Sequence, residues 1–398
     1  MSERVSIVWD DDLREYDFGP GHPLAPLRVQ LAMRLAIDFG LLEHPNVHVL
    51  GPVRVATDEE VLRVHEREFV DAVKEASNDP HYVNEARGLG TGDVPVFANM
   101  HTASARVVGA TLLATESVMS GAFEHSVSIA GGLHHAQPGA AEGFCVYNDI
   151  GASIAWLLDQ GVERVAYIDV DVHHGDGVQA MFYDDPRVLT ISIHESPKSL
   201  FPGTGWPTES GSGAGVGTSI NIALPAGTGD QGWLRAFHAV TPQALEAFGP
   251  QFIVSQHGCD THLEDPLANL MKSIDGQRMA YQAVHKWAHQ YAGGKWVALG
   301  GGGYEWIEVV PRAWATLIAE AIGHPIDPKS ECPESYLKFV EEALGRQAPR
   351  RMTDGRDPWP KSFDSGFDPD DPIDQAILAT RRAVFPHLGL DVEPHDWF

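Results

Sequence analysis

Five short apolar runs punctuate the chain, and each gives way to polar or glycine-rich residues. They are SVSIAGG from Ser126, RVAYIDV from Arg164, VLTISIH from Val188, QFIVSQHG from Gln251 and KWVALGGGG from Lys295. Continuous apolar runs of this length suit strands covered on both faces, as in a parallel sheet. Longer segments with helical periodicity separate many of them. HTASARVVGATLLATESVMSG ends at Gly121, a residue suited to the position just past a helix. NDIGASIAWLLDQG places Ile150, Ile154 and Leu157 or Leu158 on one face and stops at Gly161. QGWLRAFHAVTPQALEAFG contains Pro242, which predicts a kink or a split there. Strands alternating with helices predict an α/β fold with a mostly parallel sheet. After about Gly345 the pattern changes. RRMTDGRDPWPKSFDSGFDPDDPIDQ is rich in Pro, Gly and Asp and reads as extended, and QAILATRRAVF then reads as a short helix. The expected division is one catalytic domain over residues 1–345 and an extension over 346–398, packed on that domain or tethered to it.

In parallel sheets, ligands bind beyond the carboxyl ends of the strands. The chemistry-bearing residues obey that rule. His134 and His135 follow the first run, and Asp169, Asp171, His173, His174 and Asp176 end the second. Asp260 follows the fourth run and Tyr304 the fifth. The second cluster, YIDVDVHHGDG, drives an apolar strand into five groups that are costly to desolvate without partners. A cation among them would resolve the cost. Asp171 and His173 form a D-x-H pair whose side chains share a face, and Asp260 is the natural third ligand. Three protein ligands plus water is the pattern of a catalytic zinc site. His134 and His135 then read as general acid–base groups, with Asp169 and Asp176 each bonding one imidazole and favouring its charged form. The bland alternative for the pair is two satisfied histidines in a chain that contains 20.

Composition narrows the class. With 28 basic and 55 acidic residues the formal charge is −27, which argues against nucleic acid or an anionic membrane as partner. It suits cationic partners, although an acidic solvated surface alone would look the same. Three cysteines without a CxxC pair indicate neither a disulfide framework nor a zinc knuckle. The N-terminus has no apolar leader, and no apolar run is long enough to span a membrane. A cytoplasmic setting is expected. SGSGAGVGTS (residues 210–219) lacks the G-x-G-x-x-G and G-K-[ST] registers, so a flexible turn is expected there rather than a nucleotide site. The four glycines before Tyr304 allow close backbone approach to a ligand. Tyr304, Phe144 and Phe201 could each be plain packing residues.

GGLHHAQPGAAEGFCVYNDI, YIDVDVHHGDGVQ, TISIHESPKSLFPGTG, QHGCDTHLEDPL and LGGGGY together resemble the zinc-dependent histone deacetylase family. YDFGPGHPLAPLR and LGTGDVPVF make the likeness closer to the bacterial acetoin-utilisation-type deacetylases. The match runs in collinear order over roughly residues 1–325. The resemblance implies a three-layer arginase/deacetylase fold, a central mainly parallel sheet flanked by helices. It assigns zinc, with Fe²⁺ as the alternative, to Asp171, His173 and Asp260. It implies His135 as base and acid, His134 as electrostatic support, and Asp169 and Asp176 as their partners. Tyr304 becomes the donor to the acetyl carbonyl. The implied substrate residues are Asp93 at the rim, Phe144 and Phe201 as channel walls, Leu267 near the mouth, and Gly143 and Gly302. A structural K⁺ or Na⁺ is implied at Asp169, Asp171, His173, Ser192 and Ile193, and an acetate cavity at Arg28. The related arginases bind two manganese ions through carboxylates near the equivalents of Gly175 and His262, which cannot serve that way here. The implied activity is removal of acetyl groups from lysine in an acetylated protein or peptide. An acetylpolyamine deacetylase and a non-catalytic acyl-lysine scaffold are the alternatives, and the oligomeric state is left open.

Overall fold

The computed structural model describes residues 4–393. Among these residues eight strands form one sheet: β1 (Val5–Val8), β2 (Val47–Leu50), β3 (His125–Ser128), β4 (Val165–Asp169), β5 (Val188–Glu195), β6 (Ser219–Leu224), β7 (Phe252–Gln256) and β8 (Trp296–Leu299). Every pairing is parallel, in the order β2-β1-β3-β8-β7-β4-β5-β6. The five apolar runs are β3, β4, β5, β7 and β8. β1, β2 and β6 lie outside those five runs.

Alternate residues of the strands feed different cores. Ala166 and Ile168 point to one, Val165 and Tyr167 to the other, and Ile253 parts from Phe252 and Val254 in the same way. Both faces must therefore be covered, and helices cover them. Leu27–Asp38, Asp230–Phe248, Ile274–Ala292 and Val310–Ala321 fill the first core, and Met100–Met119 and Asp149–Asp159 the second. The result is the expected three-layer fold. The expected split at Pro242 does not occur, because Asp230–Phe248 is one continuous helix. Proline there costs the bond to the carbonyl of His238. His238 lies on the exposed side of that helix, where water can replace the missing donor.

The segment after Gly345 is tied to the sheet. Phe363, Ile377, Val384 and Phe385 join the first core. The Pro372–Leu388 helix lies against Asp230–Phe248 and edge strand β6, where the Thr380 hydroxyl donates to the Asn221 carbonyl at 2.7 Å. Covering an edge strand removes a template for unwanted pairing. Arg235 grips Asp374 with contacts of 2.6 and 2.8 Å.

The consequence for function lies in the strand order. β3, β8, β7 and β4 are consecutive across the middle of the sheet, so their carboxyl ends open side by side. Those four ends carry the histidine pair, Tyr304, Asp260 and the Asp169–Asp176 cluster.

Candidate active site

Beyond β4 the chain turns through Asp171 and His173, and beyond β7 it reaches Asp260. His173 Nδ1 lies 3.1 Å from Asp171 Oδ1 and 3.2 Å from Asp260 Oδ2. The ligand atoms of all three lie within 4.8 Å of one another, and all three residues are buried. The other carboxylate oxygens are tied back. Asp171 Oδ2 accepts from Gln256 Nε2 at 2.7 Å and from the Gly302 N–H at 2.8 Å. Asp260 Oδ1 accepts from the Val172 N–H at 2.9 Å. Burial, then the neighbouring Asp171 charge, pushes Asp260 up to about 8. Burial disfavours charge on His173 as well, yet the two carboxylates outweigh it and raise the imidazole to about 10. A proton on His173 thus occupies the place that a cation would fill. The site is shaped for one. A Cβ at Gly302 would stand 2.0 Å from Asp260 Oδ2, and one at Gly258 would stand 2.0 Å from Asp171 Oδ2. Two carboxylates and one imidazole, convergent and buried, fit a divalent metal without selecting zinc over iron.

The histidine pair faces this triad. Asp149 holds the preceding turn by accepting from the Gly132 and Leu133 N–H groups at 3.0 and 2.8 Å. His134 Nδ1 lies 2.7 Å from Asp169 Oδ2, and His135 Nδ1 lies 2.6 Å from Asp176 Oδ1. Each imidazole therefore donates from Nδ1 to its carboxylate, and the two Nε2 atoms meet at 3.0 Å. Burial disfavours charge on both rings. For His134 it is outweighed by Asp169 and Asp171, and the ring rises to about 9. For His135, burial and the His134 charge outweigh Asp176, and the ring falls below its ordinary value. A cation at Asp171 would cancel that residue's share and leave Asp169 as the partner of His134. The surroundings thus favour charge on His134 and disfavour it on His135.

Tyr304 donates its backbone N–H to Asp265 Oδ2 at 2.8 Å. Burial, then Asp260 and Asp171, push its hydroxyl well above the ordinary range, so it stays protonated and can donate. Its ring meets Phe144 edge-on at 5.7 Å, while Phe201 meets His135 edge-on at 5.1 Å and is 43% exposed. The two phenylalanines flank the centre. Phe144 sits at φ 64°, and the Tyr16 hydroxyl holds that turn by donating to its carbonyl at 2.8 Å. Gly143 lies so close to His135 that a Cβ would stand 2.3 Å from the ring. Its N–H donates to Asp93 Oδ2 at 2.8 Å, and the other Asp93 carboxylate oxygen makes no hydrogen bond among the described residues. Leu267 is half-buried, with its N–H on Asp265 Oδ1 at 3.0 Å. Arg28 donates to the carbonyls of Gly301 and Gly303 at 3.1 and 2.8 Å. Its guanidinium lies over the Tyr304 ring at 5.6 Å, and its buried Nε has no hydrogen-bond partner among the described residues. Ser192 stands opposite Asp169 in the β4–β5 register, followed by buried Ile193, and its Oγ lies 2.8 Å from His194 Nδ1. Gly175 packs against Asp169, and His262 is turned to Asp354 at 3.0 Å, so neither approaches the triad as a ligand.

Several supporting residues escaped the sequence reading. Tyr167 donates to Asp169 at 2.6 Å; it lies two positions earlier on the same face of β4, so strand periodicity could have found it. Gln256 at the end of β7 had the same signal as Asp260. Gln137 on Asp176, at 2.7 Å, and Asp265 beneath Tyr304 had none, because their partners are distant in sequence.

The histone deacetylase domain family matches residues 22–321. The chain is 42% identical over 359 residues to the acetoin utilization protein AcuC of Bacillus subtilis (strain 168), covering 89% of this chain and 91% of that protein. It is 38% identical over 339 residues to AcuC of Staphylococcus xylosus, with 85% and 87% covered. A crystal structure of an HDAC homolog complexed with SAHA superposes with a TM-score of 0.80 at 30% identity, over 95% of this chain and 100% of that one.

Proposed function

We propose, from the premise that this chain belongs to the histone deacetylase family, that it is a metal-dependent amidohydrolase which frees the side-chain amine of acetyl-lysine in proteins or peptides and releases acetate. The observation that carries the reading is the position of His135, bonded at Nδ1 to Asp176 and packed beside the buried Asp171–His173–Asp260 triad. A divalent ion held by that triad, Zn²⁺ with Fe²⁺ as the alternative, supplies Lewis acidity to the amide carbonyl and to water. His135 Nε2 takes the proton of the attacking water, and Asp176 stabilises the imidazolium that forms. The same proton then passes to the departing amine. His134, paired with Asp169, gives electrostatic support to the negative charge developing on the oxygens bound to the reacting carbon. The Tyr304 hydroxyl donates to the acetyl oxygen as that oxygen gains charge.

Phe144 and Phe201 enclose the neutral four-carbon stem, whose burial contributes about 0.8 kcal/mol per methylene. Gly143, Gly302 and Leu267 complete the slot. Asp93 accepts hydrogen bonds from the substrate backbone through the carboxylate oxygen that Gly143 leaves open. Released acetate passes toward Arg28, whose Nε offers a donor. A structural K⁺ or Na⁺ would be held by Asp169, Asp171, His173, Ser192 and Ile193. Residues 1–345 carry the catalysis and 346–398 form an extension. The three cysteines are free and buried, as suits a reducing cytoplasm. No described helix is long and apolar enough to cross a membrane.

The test is a side-by-side assay of metal-loaded protein on acetyl-lysine peptides and acetylpolyamines. Peptides should turn over faster. Faster turnover of acetylpolyamines would move the substrate to that class while leaving the chemistry in place.

A further inference from the structure

We propose that the chain carries a second divalent-metal site, built by His125, His285 and His289 at the opposite end of the sheet from the active site. His125 is the first residue of β3, and His285 and His289 lie one turn apart on the Ile274–Ala292 helix. Their three Nε2 atoms form a triangle whose every edge is 3.1 Å. An imidazole nitrogen has a single in-plane lobe, either an N–H or a lone pair. A hydrogen bond within the triangle uses two such lobes, whereas three lobes meeting at one point is how ligands surround an ion. A point about 2.05 Å from all three nitrogens lies roughly 1 Å off their plane, so the spacing of the three nitrogens accommodates zinc–nitrogen distances.

The rings are held in place by their surroundings. Trp296 stacks on His285 at 5.4 Å and 22°, and meets His125 edge-on at 5.4 Å. The indole is itself fixed by its N–H bond to Ser255 Oγ at 2.6 Å. Gly294 backs His289, where a Cβ would stand 3.3 Å from Nδ1. His125 is buried at the start of β3. Three imidazoles, with no carboxylate in the group among the described residues, suit Zn²⁺, Ni²⁺ or Cu²⁺ and disfavour Mg²⁺ and Ca²⁺. The ion would clip the C-terminal half of the helix to the start of β3, a structural role separate from catalysis at the other end of that strand.

The probe is Zn²⁺ alone, given by equilibrium dialysis to chelator-stripped full-length protein without a histidine tag. The His285→Ala/His289→Ala chain should bind one equivalent fewer than the wild type. Both substitutions lie on a helix at half-buried and exposed positions, where alanine is well tolerated. Circular dichroism and retained deacetylase turnover check that the variant is folded. Should the double variant misfold, His289→Gln alone, at the exposed position, must still lower the zinc content at limiting metal. Loss of one equivalent supports the site whatever the wild-type total. Equal zinc content in a folded variant and the wild type overturns it.

Discussion

Replacing Gly302 by alanine perturbs the metal triad with a single methyl group. Gly301 and Gly303 occupy the positive-φ region, at 147° and 139°, but Gly302 does not. Alanine therefore introduces no backbone strain at 302, and its effect is steric. The new Cβ would stand 2.0 Å from Asp260 Oδ2 and 2.8 Å from Asp171 Oδ2. To reach ordinary van der Waals contact at 3.4 Å, the Asp260 oxygen must retreat by about 1.4 Å. Displacing a catalytic constellation by about 1 Å costs on the order of 10²-fold in rate, or about 2.7 kcal/mol. Gly302→Ala should lower kcat/KM on an acetyl-lysine peptide by about 10²-fold or more, and weaken zinc binding at the triad. Far-UV circular dichroism should be unchanged. The assay is kcat/KM at saturating zinc together with zinc affinity by dialysis. A variant within about threefold of wild type in both, by the same estimate, would show that the triad does not hold a catalytic ion.

Tyr304→Phe should keep the fold and cost roughly 10²–10³ in kcat, the usual effect of losing an oxyanion donor; near-normal turnover would return Tyr304 to a packing role. Asp93→Ala should weaken turnover of peptides far more than that of a small acetylated amine, and an equal effect on both would remove Asp93 from substrate recognition. Asp354→Asn should destabilise the protein by about 2–3 kcal/mol at neutral pH, since the carboxylate bonds His262 at 3.0 Å and Arg312 at 2.8 Å. Burial opposes the ionised form of Asp354, but His262 and Arg312 outweigh it and hold the carboxyl well below the usual range. Its contribution is therefore complete above about pH 4 and fades as pH falls further, once the unfolded carboxyl protonates. Urea titrations of wild type and variant should show a stability gap that narrows below about pH 4, whereas a gap unchanged down to pH 2 would deny the ion pair its role.

The central sheet was legible because its strands are buried on both faces, so β4 and β8 are apolar at nearly every position and β5 and β7 at half or more of theirs. The same logic placed the chemistry at strand ends, and Asp171, His173, Asp260, His134, His135 and Tyr304 converge as their positions implied. What supports them was less visible. Gln137, Asp149 and Asp265 act through partners brought near only by folding, and a single polar residue in a loop carries no period. The anchoring of the tail was hidden for a related reason. Its Pro, Gly and Asp content reads as extended chain, and much of it is irregular, yet Asp354 and Asp374 are anchors that grip arginines far away in sequence. The Asp230–Phe248 helix passes through Pro242 because the bond lost there falls on the solvent side. The His125, His285 and His289 cluster shows the limit most plainly. Two histidines four apart on a helix are weak evidence, and the third ligand lies 160 positions earlier.

The central claim is hydrolysis of an acetyl-lysine amide by a metal held on Asp171, His173 and Asp260. Its most direct test follows acetate and free lysine amine together, using one acetylated peptide and protein stripped of metal and then reloaded with zinc. Reloaded wild type should release one acetate per amine freed, stripped protein should release almost none, and Asp171→Asn should stay inactive after reloading. Full activity in rigorously stripped protein, or restoration of Asp171→Asn to wild-type turnover by zinc, would contradict it.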